Sequence, residues 1–124
     1  DAIQLFWRLA EERGIAERVT MVIGSDFSRT PHYNSGNGKD HWPIGSVIVM
    51  EKNTSWTNRS VGLTDEGQNA FNINPSTLER DDHGGTIIYP KHIHKALRRH
   101  LGIENSHVEQ NLAFTNTEDF DFFS

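Results

Sequence analysis

Cysteine is absent from the 124 residues of the chain. This absence excludes both a disulfide framework and a thiolate metal site, and it is compatible with the cytosol and the periplasm alike. The chain also lacks a run of the roughly 18 apolar residues that would span a bilayer. Basic residues are not in excess, since the net charge is −5. This balance argues against a broad nucleic-acid interface, which needs a basic face.

Apolar residues are frequent enough for a packed core, because Leu, Ile, Val and Phe together make up about a quarter of the chain. The length suits one domain with one core. The ten glycines, together with many Asn, Ser and Thr residues, predict long loops. The sequence opens directly on an amphipathic pattern, without an initiator Met or a leader. We therefore expect a C-terminal piece of a larger protein, with a small processed domain as the alternative.

The first half of the chain predicts a helix followed by a buried strand. Residues 1–13 carry apolar side chains at helical spacing, and Gly14 suits a left-handed cap after the helix. Residues 19–23 are continuously apolar apart from Thr20, which is typical of a strand covered on both faces in a parallel sheet. Helix, tight turn and buried strand are half of a βαβ unit, so the sequence predicts an α/β fold. A second strand is predicted over residues 44–50.

The second half predicts one further helix within irregular segments. Pro90 suits a first helical turn and Gly102 a helix end, so a helix is predicted between them. Residues 65–85 are polar and irregular. The tail, residues 104–124, has no clear period and ends with three Phe residues among acids. We interpret this ending as a strap that docks on the parent domain.

The long loop over residues 24–43 carries the residues best suited to chemistry. Asp26 ends the first buried strand, and Asp40 and His41 precede the second; open α/β sheets place their sites just beyond strand ends. Carboxylate and imidazole are suitable ligands for Zn²⁺, Mn²⁺, Mg²⁺ or Ca²⁺. Arg29 could bind an anionic oxygen bidentately. Alternatively, Asp26 and Arg29 form an ion pair that pins the loop, Asp40 caps a turn, and His41 is a loop histidine with satisfied hydrogen bonds.

Other arrangements have less support from the sequence. Ser25 or Ser28 could be combined with His41 and Asp40 into a triad, but no Gly-x-Ser-x-Gly nucleophile elbow accompanies them. The two histidines of the second helix are two residues apart and face different ways, so they do not form a ligand pair.

The loop motifs resemble a known family. Ser-Asp-Phe-Ser-Arg-Thr-Pro over residues 25–31, then Asn34, then Gly-Lys-Asp-His-Trp-Pro over residues 38–43, resemble a "(S/T)EFGRTP…N…GRDHWP" signature. That signature belongs to a bacterial family catalogued as a domain of unknown function, number fifteen hundred and one. The likeness extends over residues 1–103, with gaps in the irregular middle, whereas residues 104–124 match nothing in it.

The resemblance implies a fold and a site. The family is grouped with the alkaline phosphatase and sulfatase superfamily, which implies the C-terminal portion of an α/β/α sandwich over residues 1–103. By position, Asp26 would be the strand-end metal ligand and His41 the later one, with Asp40 orienting His41. Phe27 stands where the superfamily has a second ligand, a histidine. An exported protein, periplasmic or secreted, is also implied.

Two functions follow as expectations. In the first, the whole protein is a metal-dependent hydrolase of phosphate or sulfate esters, in which Asp26 and His41 hold a divalent metal and Arg29 binds the anionic group. In the second, the fold has lost ligands and serves as a non-catalytic binding or assembly protein, which the presence of Phe27 favours. The partner expected in both is the N-terminal portion of the same protein or another chain, because half a sheet leaves an exposed edge.

Overall fold

A computed structural model describes residues 1–124, apart from the side chain of Val108. The chain forms two compact units, residues 1–57 and residues 58–124, called unit 1 and unit 2 below. Helices and strands are mixed, which confirms the predicted α/β class, and the strands form small antiparallel sheets. The phosphatase-like sandwich remains a prediction. Over residues 1–124, no described helix is both long enough and apolar enough to cross a bilayer.

Unit 1 begins with helix α1, Ala2–Glu12. The Asp1 carboxylate caps the helix by accepting the backbone N–H of Ile3 at 2.9 Å. Gly14 follows with φ of +66°, in the left-handed conformation predicted for it. The predicted helix and its cap are therefore confirmed, with each end one residue inside the expected boundary. A short 3-10 turn, Ala16–Arg18, connects α1 to the first strand.

The main sheet of unit 1 contains two strands, β1 (Thr20–Ile23) and β4 (Ile48–Glu51). They pair antiparallel, from Thr20 opposite Glu51 to Ile23 opposite Ile48. The expectation of a parallel sheet is therefore wrong. A parallel neighbour needs a crossover, usually a helix, whereas the connection between these strands contains only a small hairpin. The second strand also begins four residues later than predicted, at Ile48.

Unit 2 is built around one helix and a set of loops. Helix α2, Pro90–His100, begins at the predicted proline, and Gly102 follows it with φ of +68°. A short helix α3, His107–Asn111, lies further along the chain. Isolated bridges join Ile73 to Arg80 and to Thr86. The core of unit 2 is small and consists mainly of four buried residues: Ile73, His92, Ala96 and Phe120.

The loop before α2 is held by the carboxylate of Asp81. It accepts the backbone N–H groups of His83 and Gly84 and the side-chain amide of Asn74. These donors lower the pKa of Asp81, with the Gly84 N–H first, the Asn74 amide next and the His83 N–H third. Residues 65–85, predicted as irregular, contain isolated bridges but no helix or strand, and side-chain caps hold the turn that precedes α2.

The C-terminal tail docks on α2 of the same unit. Lys95 Nζ donates to the carbonyl of Thr117 at 2.6 Å and to Asp119 at 2.9 Å. Arg99 donates to Asp119, to the carbonyl of Phe120 and to Asp121. Phe120 is fully buried and packs against the ring of His92 at 5.0 Å between centroids. The tail is thus a strap, as interpreted from its sequence, and it completes the core of unit 2.

Candidate functional site

A two-stranded hairpin lies within residues 24–43, the segment predicted as a long loop. Strand β2, Ser28–Arg29, pairs antiparallel with β3, His41–Trp42. Arg29 lies opposite His41. The pairing continues beyond the strands, because the N–H of Thr30 donates to the carbonyl of Asp40 at 3.1 Å. The segment predicted as one long loop therefore contains a hairpin, which brings together both halves of the family signature.

One asparagine, Asn34, holds the connection between the two strands through its side chain and its backbone. The side-chain oxygen of Asn34 accepts the N–H groups of Gly36 and Gly38, both at 3.0 Å. Its side-chain nitrogen donates to Asp40 Oδ1 at 2.8 Å, and its backbone N–H donates to the carbonyl of Gly38 at 2.9 Å. Asn37 takes φ of +63°, a conformation that asparagine tolerates better than most residues. The connection is therefore a stapled turn.

Phe27 packs against the two cross-strand partners. Its ring stacks on that of His41, with 3.8 Å between centroids and an interplanar angle of 22°. The guanidinium carbon of Arg29 lies 5.0 Å from the Phe27 centroid, within range of a cation–π interaction. Phe27, Arg29 and His41 are all exposed. Together they form the arginine–histidine face of the hairpin.

The predicted site residues differ in their hydrogen-bond and ion-pair partners. Asp26 is exposed, and its carboxylate makes no hydrogen bond or ion pair with the described residues. The proposed Asp26–Arg29 ion pair is not formed: Arg29 instead donates to the carbonyl of Lys39 at 3.1 Å. The carboxylate of Asp40 accepts the side-chain amide of Asn34, whereas the turn's N–H groups are capped by Asn34. The role of Asp40 in orienting His41 remains a prediction.

The alternative triad is not assembled. Ser25 Oγ donates to the carbonyl of Phe27 at 2.9 Å and so stabilises the turn that leads into β2. Among the described side chains, no hydrogen bond joins a serine to His41. The two histidines of α2 lie in different environments, because His92 is buried whereas His94 is exposed.

Among the described residues, no three His, Asp or Glu side chains come together as a metal site. Asp26 and His41 carry donor atoms that suit a metal. These atoms are available, because neither side chain forms a hydrogen bond within the described structure. They could supply at most part of a coordination shell, and a complete centre would need ligands from another segment or chain.

Sequence reasoning missed two features of the hairpin. The first is the stapling role of Asn34, which the Asn-x-Gly-x-Gly-x-Asp spacing could have indicated, because asparagine side chains readily bond backbone N–H groups two residues on. The second is the pair formed by Tyr33 and Lys39, whose ammonium lies 5.2 Å from the Tyr33 ring centroid. No sequence period marks this pair, because its two members are joined by the turn.

Comparison with known families assigns the chain. The family model described as "Protein of unknown function (DUF1501)" matches residues 3–78, which is more than half of the chain. The chain belongs to the DUF1501 family. The match includes the whole hairpin, so the family resemblance seen in the two motifs is confirmed. No curated protein and no solved structure matches this DUF1501 chain significantly.

The DUF1501 match does not test two of the predictions. It ends at residue 78, so the division into a domain over residues 1–103 and a tail over residues 104–124 stays a prediction. Membership of the phosphatase and sulfatase superfamily likewise stays a prediction.

Proposed function

We propose that the DUF1501 protein containing this chain is a phosphatase- or sulfatase-like hydrolase of anionic esters, and that the hairpin binds the anionic group. The observation that carries this proposal is the direct pairing of Arg29 with His41 across the β2–β3 ladder. Residues directly opposite in an antiparallel pair hold their Cβ atoms about 4.5–5.5 Å apart on one face. A guanidinium and an imidazole so placed can contact neighbouring oxygens of one phosphate or sulfate group.

The surroundings of Arg29 favour binding. Its hydrogen bond to the Lys39 carbonyl and its position over Phe27 restrict the side chain before any ligand arrives. A side chain that is already ordered loses less conformational entropy on binding. Arg29 is nevertheless exposed, so its remaining N–H donors can reach an anion. In this proposal Arg29 orients the ester and stabilises negative charge on its oxygens.

Asp26 and His41 would hold a divalent metal, Zn²⁺, Ca²⁺, Mg²⁺ or Mn²⁺, together with ligands from outside this chain. Such an ion would polarise the ester and lower the pKa of a nucleophile. The support within the chain is the free carboxylate of Asp26, close in sequence to the hairpin, and the exposure of His41. Asp40 would orient the imidazole of the neighbouring His41, as a carboxylate commonly does for a metal-binding histidine.

Replacing Arg29 with Ala is expected to lower kcat/KM for ester hydrolysis by about 100-fold, because removing one charge-stabilising donor typically costs that much. The measurement uses the natural protein containing this chain, with nitrophenyl phosphate and nitrophenyl sulfate as substrates. Arg18→Ala is the matched control, since Arg18 is an exposed arginine of the same unit. Elemental analysis should find bound metal in the wild type and its loss in both Asp26→Ala and His41→Ala.

Three outcomes would contradict the proposal at different points. Unchanged hydrolysis in the Arg29 variant would show that Arg29 does not stabilise the ester. A folded wild-type protein without metal would exclude the metal-dependent reaction. Absence of hydrolysis of both esters, with inorganic sulfate still bound, would favour the second candidate instead: a phosphatase-like protein that binds anions without turning them over.

The second candidate rests on Phe27. It stands where the superfamily, which the resemblance implies, has a metal-binding histidine, and its ring stacks on His41. An apolar ring in that place supplies no ligand and covers one face of the imidazole. A non-catalytic binding or assembly protein would retain the arginine–histidine face and lose the metal.

We also propose that unit 1 packs against the N-terminal portion of the same protein or against another chain. Large apolar side chains stand exposed on both α1 and the main sheet: Leu5, Phe6, Leu9, Val22 and Ile48. A two-stranded sheet is marginal in water unless it packs against something else. An exported, periplasmic or secreted location is part of the proposal, and recovery of the natural protein only from the cytosolic fraction would contradict it.

The 124-residue chain alone is therefore expected to self-associate or to melt without cooperativity, because its apolar surface lacks a cover. Sedimentation and thermal unfolding would measure this. Leu5→Glu combined with Leu9→Glu should reduce self-association, whereas the matched change Leu63→Glu, at an exposed position of unit 2, should reduce it less. A monomeric wild-type chain with one cooperative transition would contradict the expectation.

A further inference from the structure

We infer that Tyr33 and Lys39 form a subsite for a sugar ring of an anionic polysaccharide, beside the arginine–histidine face. This inference rests on the proposed function and names its substrate class: a polymer whose sugar rings carry sulfate or phosphate esters. The subsite is defined by the Tyr33 ring, the Lys39 ammonium and the second carboxylate oxygen of Asp40.

The exposure of Tyr33 is the first observation. Its relative accessibility is 67%, the largest among the exposed large apolar and aromatic residues of the described chain. A ring this exposed adds little to the stability of unit 1, since the hydrophobic effect requires burial. Aromatic rings exposed on an ordered surface offer a flat apolar face with a polar edge, which suits contact with the apolar face of a sugar.

Lys39 provides the charge next to this ring. Its ammonium lies 5.2 Å from the Tyr33 centroid and 3.5 Å from the carbonyl oxygen of Pro31. The ammonium lies over one face of the Tyr33 ring, so it can bind a sulfate or phosphate carried by a sugar that contacts this ring. Asp40 bonds Asn34 through Oδ1, so its Oδ2 can accept a hydrogen bond from a sugar hydroxyl.

The shape of the hairpin favours a polymer over a small molecule. Residues 32–41 are all exposed, and the clefts lined by residues 1–8 and by residues 96–124 lie outside this segment. Small ligands bind in concave sites that bury most of their surface. An exposed turn instead contacts a long ligand along its edge, and the stapling by Asn34 keeps Tyr33 and Lys39 in place for this contact.

The charge distribution favours a polysaccharide over a nucleic acid. The segment over residues 24–43 contains two carboxylates, Asp26 and Asp40, beside the cations Arg29 and Lys39, and the whole chain has a net charge of −5. Nucleic-acid binding draws its affinity from many phosphate contacts by basic residues. A ligand with hydroxyl donors as well as spaced anions fits this mixture of acceptors and cations better.

Affinity electrophoresis of the natural protein in gels containing dextran sulfate, dextran or single-stranded DNA tests the inference. We expect dextran sulfate to bind at least tenfold more tightly than dextran or DNA. Tyr33→Ala and Lys39→Gln should each weaken dextran sulfate binding about tenfold, and Tyr33→Phe should restore most of it. Lys91→Gln, at an exposed lysine of unit 2, is the matched control and should bind as the wild type does.

The outcomes separate this inference from the proposed function. Equal dextran sulfate binding by the wild type and Tyr33→Ala overturns the subsite, and so does tighter binding to DNA than to dextran sulfate. If inorganic sulfate binds by calorimetry but dextran sulfate does not, the subsite is wrong and the anion-binding hairpin stands. If neither binds, both proposals are wrong.

Discussion

Replacing Phe120 with Ala is expected to destabilise unit 2 by about 3–5 kcal/mol, the usual cost of removing a buried phenylalanine ring. Phe120 has 0% relative accessibility and is, with Ile73 and His92, among the largest fully buried side chains that the structure describes. Its ring also stacks on Phe122, with 4.9 Å between centroids. Arg99 donates to the backbone carbonyl of Phe120. The substitution removes the ring but keeps this carbonyl, so the hydrogen bond to Arg99 can still form.

Hydrogen exchange of the α2 amides measures this effect without requiring a single global transition. Exchange should accelerate by about two to four orders of magnitude, since each 1.4 kcal/mol is a factor of ten. Leu112→Ala is the control, because Leu112 is 62% exposed in the same unit and its truncation should change exchange less than threefold. Unchanged α2 protection in the Phe120 variant would show that the tail does not hold the core together.

Replacing Gly85 with Ala is expected to lower the free energy of unfolding by about 1–3 kcal/mol or more, because the added methyl group overpacks a backbone contact. An added Cβ would lie 2.6 Å from the Asp81 carbonyl oxygen and 2.8 Å from the Ile73 carbonyl carbon. Both neighbours are backbone atoms, so they cannot relieve the contact by a change of rotamer as a side chain would. The shift they require would strain the bonds between Ile73 and Thr86, at 2.9 and 3.0 Å.

Exchange at the Ile73 and Thr86 amides is the measurement for this variant, since each donates to the other residue's carbonyl. Gly45→Ala provides a matched control, because its nearest neighbour would be the Ser28 side chain at an ordinary 3.8 Å. Protection of both amides at the wild-type level in Gly85→Ala would contradict the close approach.

The features predicted from the sequence were those set by local signals. Helix α1 and helix α2 follow from apolar spacing, and Gly14 and Gly102 from the backbone conformation that ends a helix. The family signature placed Asp26, Arg29, Asp40 and His41 in one segment, and the hairpin does bring Arg29 and His41 together.

The features that were missed depend on contacts between distant residues. The antiparallel pairing of β1 with β4 joins segments separated by more than 20 residues, and an apolar run alone does not set strand direction. Strands β2 and β3 contain two residues each, too few for any alternation to be read. The burial of His92 depends on the tail, because Glu118 accepts from its Nε2 at 2.9 Å and Phe120 covers its ring.

The stapled turn at Asn34 also has a kinetic consequence. A binding loop that already holds its bound shape needs no rearrangement after encounter, so the association rate is set by diffusion and by charge. Substitutions at Tyr33 would then act mainly on the dissociation rate, whereas loss of Lys39 would also slow association at low ionic strength. Replacing Asn34 itself would add a folding step to each encounter, and the observed association rate would level off as ligand concentration rises.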